Sequence, residues 1–241
     1  MIPCTNCPLQ AAPGLRALSQ RQLEFMTSFK QGELYVAKGG QMLSQGVVSP
    51  HLYTLLQGVL FRFKTLDDGR RQIVNFMFPG DMVGLQSAME DPMQHGVEAV
   101  TEARVCIFQR ERFMDLFATH PRLGFDMAWL AARQEISLDE HLTSVGRRTA
   151  RERLVYLALF LFLRGRQTGL AGKDHLDISL TQAQIADTIG LSVVHTNKTL
   201  QALRRANLIE WTADRIGIHD VDAAIEYAKY EQPIESQRPF I

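Results

Sequence analysis

Leu180-Thr181-Gln182-Ala183-Gln184-Ile185-Ala186-Asp187-Thr188-Ile189-Gly190-Leu191-Ser192-Val193-Val194-His195-Thr196-Asn197-Lys198-Thr199-Leu200 is the stretch on which the reading of this chain turns. Thr181 is a helix-capping residue, Ile185 and Ile189 stand one helical turn apart, and Gly190 can take the left-handed conformation that ends a helix. Ser192 can then cap a second helix, whose Leu200 and Leu203 face inward and whose Val193, Val194, His195, Asn197 and Lys198 lie near its exposed N-terminal end. Two short helices joined by such a turn are the helix-turn-helix arrangement, in which the first turns of the second helix meet base edges in the major groove. A plain packing unit of two helices would share the glycine link. The two caps and the polar exposed face favour nucleic acid, and so does the sequence beyond the second helix. There Leu208-Ile209-Glu210-Trp211 and Arg215-Ile216-Gly217-Ile218, separated by Thr212-Ala213-Asp214, read as the hairpin of a wing.

Charge supports this reading. The chain has 26 basic and 26 acidic residues, a net charge of zero, yet residues 147–205 hold ten basic residues against four acidic ones. A basic segment between acidic flanks suggests a polyanion-binding module joined to a unit with another task.

Working outward toward the N-terminus, the apolar run Leu154 to Leu163 is ten residues long, about half of a bilayer span, so it predicts a buried helix and no membrane segment. The start, Met1-Ile2-Pro3-Cys4-Thr5-Asn6, has neither the basic residues nor the apolar core of a secretory signal, which places the chain in the cytoplasm with its three cysteines reduced or ligand-bound. From Pro121 to about Gly146 the pattern is helical. Ala128, Ala131, Glu135, Leu138, Leu142 and Val145 recur at alternating three- and four-residue steps, the spacing of a seam between paired helices, which predicts a homodimer; packing of the same stripe on the chain's own barrel is the alternative. Glu135, Asp139 and Glu140 would repel across such a seam.

Before Phe108 the chain reads as strands: Leu52 to Leu56, Val59 to Lys64, Gln72 to Phe78 and the region Val97 to Phe108, with Asp68-Gly69 as a tight hairpin turn and further breaks at Gln57-Gly58 and Pro79-Gly80-Asp81. Short strands in sequence make a small barrel or roll. The expected architecture is α+β: a β-roll sensor over 1–118, a dimerisation helix over 119–146 and a winged helix-turn-helix over 147–241. With 241 residues, 46% hydrophobic and 22% charged, the chain is globular and long enough for two cores. It offers no Ser-His-Asp order, phosphate-cradling glycine loop or paired-carboxylate motif of an enzyme.

With these features in place, the chain resembles the Crp/Fnr superfamily of bacterial transcription regulators from about Leu18 to Asp220, on the side of its FNR-like and FixK-like members. The resemblance implies a jelly roll of the cyclic-nucleotide-binding kind, a homodimer on a two-fold-symmetric double-stranded DNA site, and contact with RNA polymerase. By it, Val193, Val194, Asn197 and Lys198 occupy base-reading positions, while Thr181, Gln182, Ser192 and His195 occupy positions that meet phosphates. Well-known members carry Glu and Arg where this chain has Val194 and Lys198, so the expected half-site differs from the familiar ones: valine accepts no hydrogen bond but packs on a thymine methyl.

Cyclic AMP requires a Gly-Glu-Leu cassette and a following Arg. Gly84-Leu85-Gln86 and His95-Gly96-Val97-Glu98 stand there instead, with no Arg or Lys between Arg71 and Arg104, which argues against that ligand. Cys4, Cys7 and Cys106 match three of the four cysteines that hold a [4Fe–4S] cluster in the family's oxygen sensor. Leu9 to Leu15 has no fourth, so a cluster would need a non-cysteine ligand. Zinc, a Cys4–Cys7 disulfide, and plain unliganded thiols are the other readings. His51 and His95 are candidate haem ligands. A small apolar effector would sit in a roll pocket lined by Met77, Phe78, Leu85 and Met89.

Overall fold

The computed structural model describes residues 1–89, 91–231 and 237–241, apart from the side chains of Ser87 and Ala88. After two short 3-10 turns at Cys4–Asn6 and Pro8–Ala11, helix α1 (Gln20–Phe29) begins at a reciprocal cap between Ser19 and Gln22. Eight strands follow: β1 (Lys30–Val36), β2 (Gln41–Leu43), β3 (His51–Gln57), β4 (Leu60–Thr65), β5 (Arg71–Met77), β6 (Met82–Val83), β7 (Gly96–Ala99) and β8 (Ala103–Gln109). They form two antiparallel sheets, β1-β8-β3-β6 and β2-β7-β4-β5, the halves of the expected roll.

Strand alternation gives β4 two different faces. Leu60 joins the roll interior with Leu55, Met77, Val97 and Val105, while Phe61 and Phe63 join a second core outside the roll. The β4–β5 hairpin turns at Gly69 with φ +84°, and the Leu66 N–H bonds the Arg70 carbonyl at 2.9 Å. Gly58 is also required: its φ is +87°, and a Cβ there would run into the Glu102 carbonyl. The single strand region expected over 97–108 is two, β7 and β8, broken at Val100–Glu102.

Helix α2 (Phe113–Thr119) leads to α3 (Pro121–Arg147), which starts on Pro121 as a proline at the first helical position allows. Its Leu123, Met127 and Leu130 are buried beneath the roll with Phe29, Phe108 and Leu116. Helix α4 (Ala150–Gln167), opened by a Thr149–Glu152 capping box, is apolar all round from Leu154 to Phe162 and is buried accordingly. One face meets the C-terminal unit: β9 (His175–Asp177), α5 (Gln182–Ile189), α6 (Val193–Arg205), the hairpin β10 (Glu210–Trp211) and β11 (Arg215–Gly217), and α7 (Val221–Ala228). The same core takes in Phe61, Phe63, Phe76 and Phe78 of the roll, so the roll and the C-terminal unit share one apolar interior.

Polar contacts reinforce this junction. Arg71 Nε bonds Asp187 on α5 at 2.9 Å and its Nη1 bonds Glu98 at 3.1 Å, while Gln72 donates to the Thr188 carbonyl at 2.9 Å. Asp81, 5% exposed, accepts from the Phe78 N–H at 2.7 Å and pairs with Arg164 of α4 at 3.0 Å and with Arg238. Residues 237–241 therefore do not lie on the C-terminal unit where the sequence reading puts them. Arg238 bridges to Leu15, and Phe240 and Ile241 are buried beside Leu9, Leu52 and Met82 at the base of the roll.

Candidate nucleic-acid interface and sensor sites

The helix-turn-helix is built by its own short-range hydrogen bonds. Thr181 Oγ1 accepts from the Gln184 N–H at 3.1 Å, and Gln184 Oε1 accepts from the Thr181 N–H at 2.9 Å. Gly190, at φ +68°, closes α5 by donating to the Ala186 carbonyl at 3.0 Å. Ser192 Oγ then accepts from the His195 N–H at 3.2 Å and starts α6. Thr196 and Leu203 are buried against the core while Val193 and Val194 are 41% and 65% exposed. Ser192, His195 and Lys198 are exposed too, as are Thr181 and Gln182 on the neighbouring helix. Asn197 departs from this pattern. It is half-buried and donates to Gln182 Oε1 at 2.7 Å, so a position named for bases and one named for phosphates are joined across the two helices.

The basic segment is less free than its count suggests. Arg148 donates to the Ala228 and Lys229 carbonyls, Arg153 to the Arg148 and Ile189 carbonyls, and Arg164 to Asp81. These three hold the fold together. Arg147, Arg151, Arg166, Lys173, Lys198, Arg204 and Arg205 are exposed and carry the field that DNA would meet. Glu140, expected to repel a facing helix, instead pairs with Arg148 of its own chain at 3.3 Å.

At the base of the roll the three cysteines share one apolar cluster, Cys106 buried on β8 and Cys4 and Cys7 packed over it. Lys30 lies among them. Its ammonium bonds Glu33 at 2.5 Å and the Ile2 carbonyl at 2.7 Å and neighbours Cys106, while Arg104 Nε reaches the other Glu33 oxygen at 2.6 Å. Burial pushes the Cys106 thiol up to about 12 against the opposing pull of Lys30, and burial also raises Cys7. Burial resists ionisation of Glu33 too, but the hydrogen bonds from Lys30, the Ile2 N–H and Arg104 outweigh it and hold the carboxyl at about 2. Among the described residues, no group of three His, Cys, Asp or Glu side chains is arranged to hold a metal ion. The three sulfurs supply at most three ligands of a [4Fe–4S] cluster, and burial disfavours the thiolate at Cys7 and Cys106.

One other expectation is corrected. Met77, Phe78, Leu85 and Met89 line no common pocket: Met77 belongs to the roll interior, Phe78 to the core shared with α4 and Leu85 to the basal cluster, while Met89 is 65% exposed. Alternation along β5 and the turn at Gly80 send neighbouring residues to different cores. His51 opens β3 in one sheet and His95 precedes β7 in the other. Sequence reasoning also missed Arg62. It looked for a cation only between Arg71 and Arg104, whereas β4 carries one into the roll from an earlier strand, signalled by the charge within Leu60-Phe61-Arg62-Phe63.

A β-roll continued by a long helix into an exposed, capped helix-turn-helix with a wing defines a DNA-binding transcription regulator, not an enzyme. Residues 33–120 match the family described as cyclic nucleotide-binding domain, and residues 152–223 match the Crp-like helix-turn-helix domain. Together the two matches cover most of the chain and place it in the Crp/Fnr superfamily. It is 28% identical over 208 residues to a probable transcriptional activator of Rhizobium leguminosarum bv. viciae, covering 86% of this chain and 85% of the relative. It is 27% identical over 207 residues to the nitrogen fixation regulation protein FixK of Bradyrhizobium diazoefficiens, with the same coverage of 86% and 85%. In fold it is similar to FixK2 from Bradyrhizobium japonicum, with a TM-score of 0.73 at 22% identity over 84% of this chain and 99% of that one. No helix among the described residues is long and apolar enough to cross a membrane.

Proposed function

We propose that this regulator works as a homodimer on a two-fold-symmetric DNA site, with α6 in the major groove, RNA polymerase as a further partner, and a redox signal read through Cys4, Cys7 and Cys106. The observation that carries the DNA reading is the exposed first two turns of α6, with Val193, Val194 and Lys198 free of the core. Lys198→Ala is expected to weaken specific binding by about 1–3 kcal/mol, roughly five- to 150-fold, and to relax preference at one base position. Selection from random DNA followed by footprinting checks both, and it should return a half-site with a methyl-bearing base opposite Val194. Recovery of the half-site read by a Glu–Arg helix would overturn this assignment.

Dimerisation is supported by the face that α3 turns away from its own roll. Ala128, Ala131, Glu135, Leu138 and Leu142 are exposed, and Val145 is half-buried. Phe125 and Ile136, 59% and 50% exposed, widen the apolar face beyond the seam expected from sequence. Leu142→Asp is expected to shift the protein to monomer in sedimentation equilibrium while leaving its circular dichroism unchanged. A dimer of unaltered strength would place the interface elsewhere.

For the signal, the proximity of three thiols to one another and to the base of α3 supports a redox input, and the [4Fe–4S] cluster suggested by resemblance is its boldest form. Anaerobic purification with iron and sulfide analysis decides between them. Stoichiometric iron and sulfide, lost in air and absent from Cys4→Ser and Cys106→Ser, would establish the cluster and require rearrangement around Lys30. An iron-free protein whose thiols become unreactive to alkylation on oxidation would establish a thiol input without metal.

A further inference from the structure

Gln182 opens α5, Asn197 is the fifth residue of α6, and the Asn197 amino group donates to Gln182 Oε1 at 2.7 Å. Gln182 is exposed, and Asn197, half-buried, stands one turn beyond Val193 on the side of α6 that also carries Val194 and Lys198. In a helix-turn-helix the first helix crosses the sugar-phosphate backbone while the first turns of the second meet base edges. The bond therefore joins the two kinds of contact. We propose that Gln182 is a positioning residue that holds the Asn197 amide in one of its two orientations and so makes Asn197 a reader of adenine. This rests on α6 being the helix in the major groove, and it adds which base one of its residues takes.

A primary amide has a carbonyl end and an amino end of nearly the same shape, so an unrestrained Asn can turn over and offer either end to a base. Turned one way it suits adenine; turned the other it can donate to the O6 and N7 acceptors of guanine or to O4 of thymine. The hydrogen bond to Gln182 removes that choice. It uses one of the two amino hydrogens and leaves the other, next to an Oδ1 that is ready to accept. A donor and an acceptor side by side are what adenine N7 and N6 complete, whereas guanine and thymine would set an acceptor against Oδ1. Gln182 can keep this grip on DNA, because its own amino group is left to donate to a phosphate. The Thr181–Gln184 box has already taken the capping groups beside it. Val193 and Val194, which flank Asn197 on α6, carry no polar side-chain atom that would draw the amide away.

The test uses the full chain and selection from random DNA, followed by binding titrations on the selected site. Asn197→Ala identifies the base position that Asn197 reads, as the one at which preference is lost. The wild-type protein should select adenine there, and replacing it with purine, which lacks the 6-amino group, should weaken binding about three- to tenfold. Gln182→Ala should lower the preference for adenine over guanine at that position by a similar factor and leave the other positions as in wild type. Gln182→Glu keeps an oxygen to accept from Asn197 but repels phosphate, so it should weaken binding to all sequences alike and retain adenine. A merely structural role of Gln182 would move no single base preference. Any base but adenine at the Asn197 position, no position sensitive to Asn197→Ala, or an unchanged preference in Gln182→Ala would overturn the proposal. Each of those results would leave selection of a two-fold-symmetric site, and with it the place of α6 in the groove, standing. A protein that selects no such site would overturn both.

Discussion

Asp81→Ala is expected to destabilise the protein by about 3–5 kcal/mol, the cost of removing one side of a buried ionic cluster and leaving its cations unpaired. Arg164 and Arg238 meet on that single carboxylate, their side chains 17% and 10% exposed, and the Phe78 N–H loses its acceptor as well. Burial by itself would raise the Asp81 pKa; Arg238 first and Arg164 next outweigh it, so the carboxyl is held below its ordinary value. A depressed folded-state pKa gives stability that is complete above the unfolded carboxylate value near 3.9 and is lost as pH falls through the folded one. Urea denaturation should therefore show Asp81→Ala greatly weakened at neutral pH, and the gap to wild type narrowing below about pH 4. A loss under 1 kcal/mol would mean that water takes over the two guanidinium groups and that the cluster contributes little.

The second large effect is loss of stability in mild acid. His95 is 7% exposed and His141 lies 2.8 Å from the Tyr156 hydroxyl and 4.7 Å from the Phe160 ring centre, its Nε2 sealed from solvent. Burial first, then Arg62, holds both at about 4. An unfolded histidine titrates near 6.5, so between about pH 6.5 and 4 the unfolded chain binds more protons than the folded one, and stability falls as pH falls. About 2.5 pH units corresponds to roughly 3 kcal/mol for each ring. Together they rival the whole stability of an ordinary domain. The urea midpoint should drop steeply across this window, and His141→Phe, which keeps an aromatic ring between Tyr156 and Phe160, should flatten the limb. An unaltered slope in that variant would show that His141 takes up its proton without unfolding.

How much of this was legible depends on the range of the forces involved. The helix-turn-helix was readable because its determinants are local: Thr181, Gly190 and Ser192 act within four residues of themselves, and the structure uses each as a cap or helix end. The Asp68-Gly69 turn and the apolar α4 were readable for the same reason. Strand β1 was not, since Lys30-Gln31-Gly32-Glu33 carries no alternating apolar signal. It lies at a sheet edge and is pinned by the ion pairs of Glu33 with Lys30 and Arg104, partners that only folding brings near. The supposed effector pocket failed because neighbouring residues on β5 and after it face different cores. Arg148, Arg153 and Arg164 were counted as surface charge because sequence does not reveal that backbone carbonyls and Asp81 claim them. The return of Arg238 and Phe240 to the roll was equally hidden, as their contacts with Asp81 and Gly80 span more than 150 residues.

The core shared by Phe61, Phe63, Phe76 and Phe78 with α4 and α5 bears on how such a regulator answers a signal. Swinging the DNA-reading helices away from the roll would strip these four aromatic rings of their cover and offer them to water, at about 25 cal/mol for every square ångström of apolar surface uncovered. The resting orientation is therefore a deep well and not one of many loose poses. A signal must either supply a matching preference for the open arrangement or act within the closed one, by changing how two closed subunits meet. Heating should report the same linkage as a single absorption of heat for the entire chain, because the reader of DNA and the receiver of the signal melt as one body.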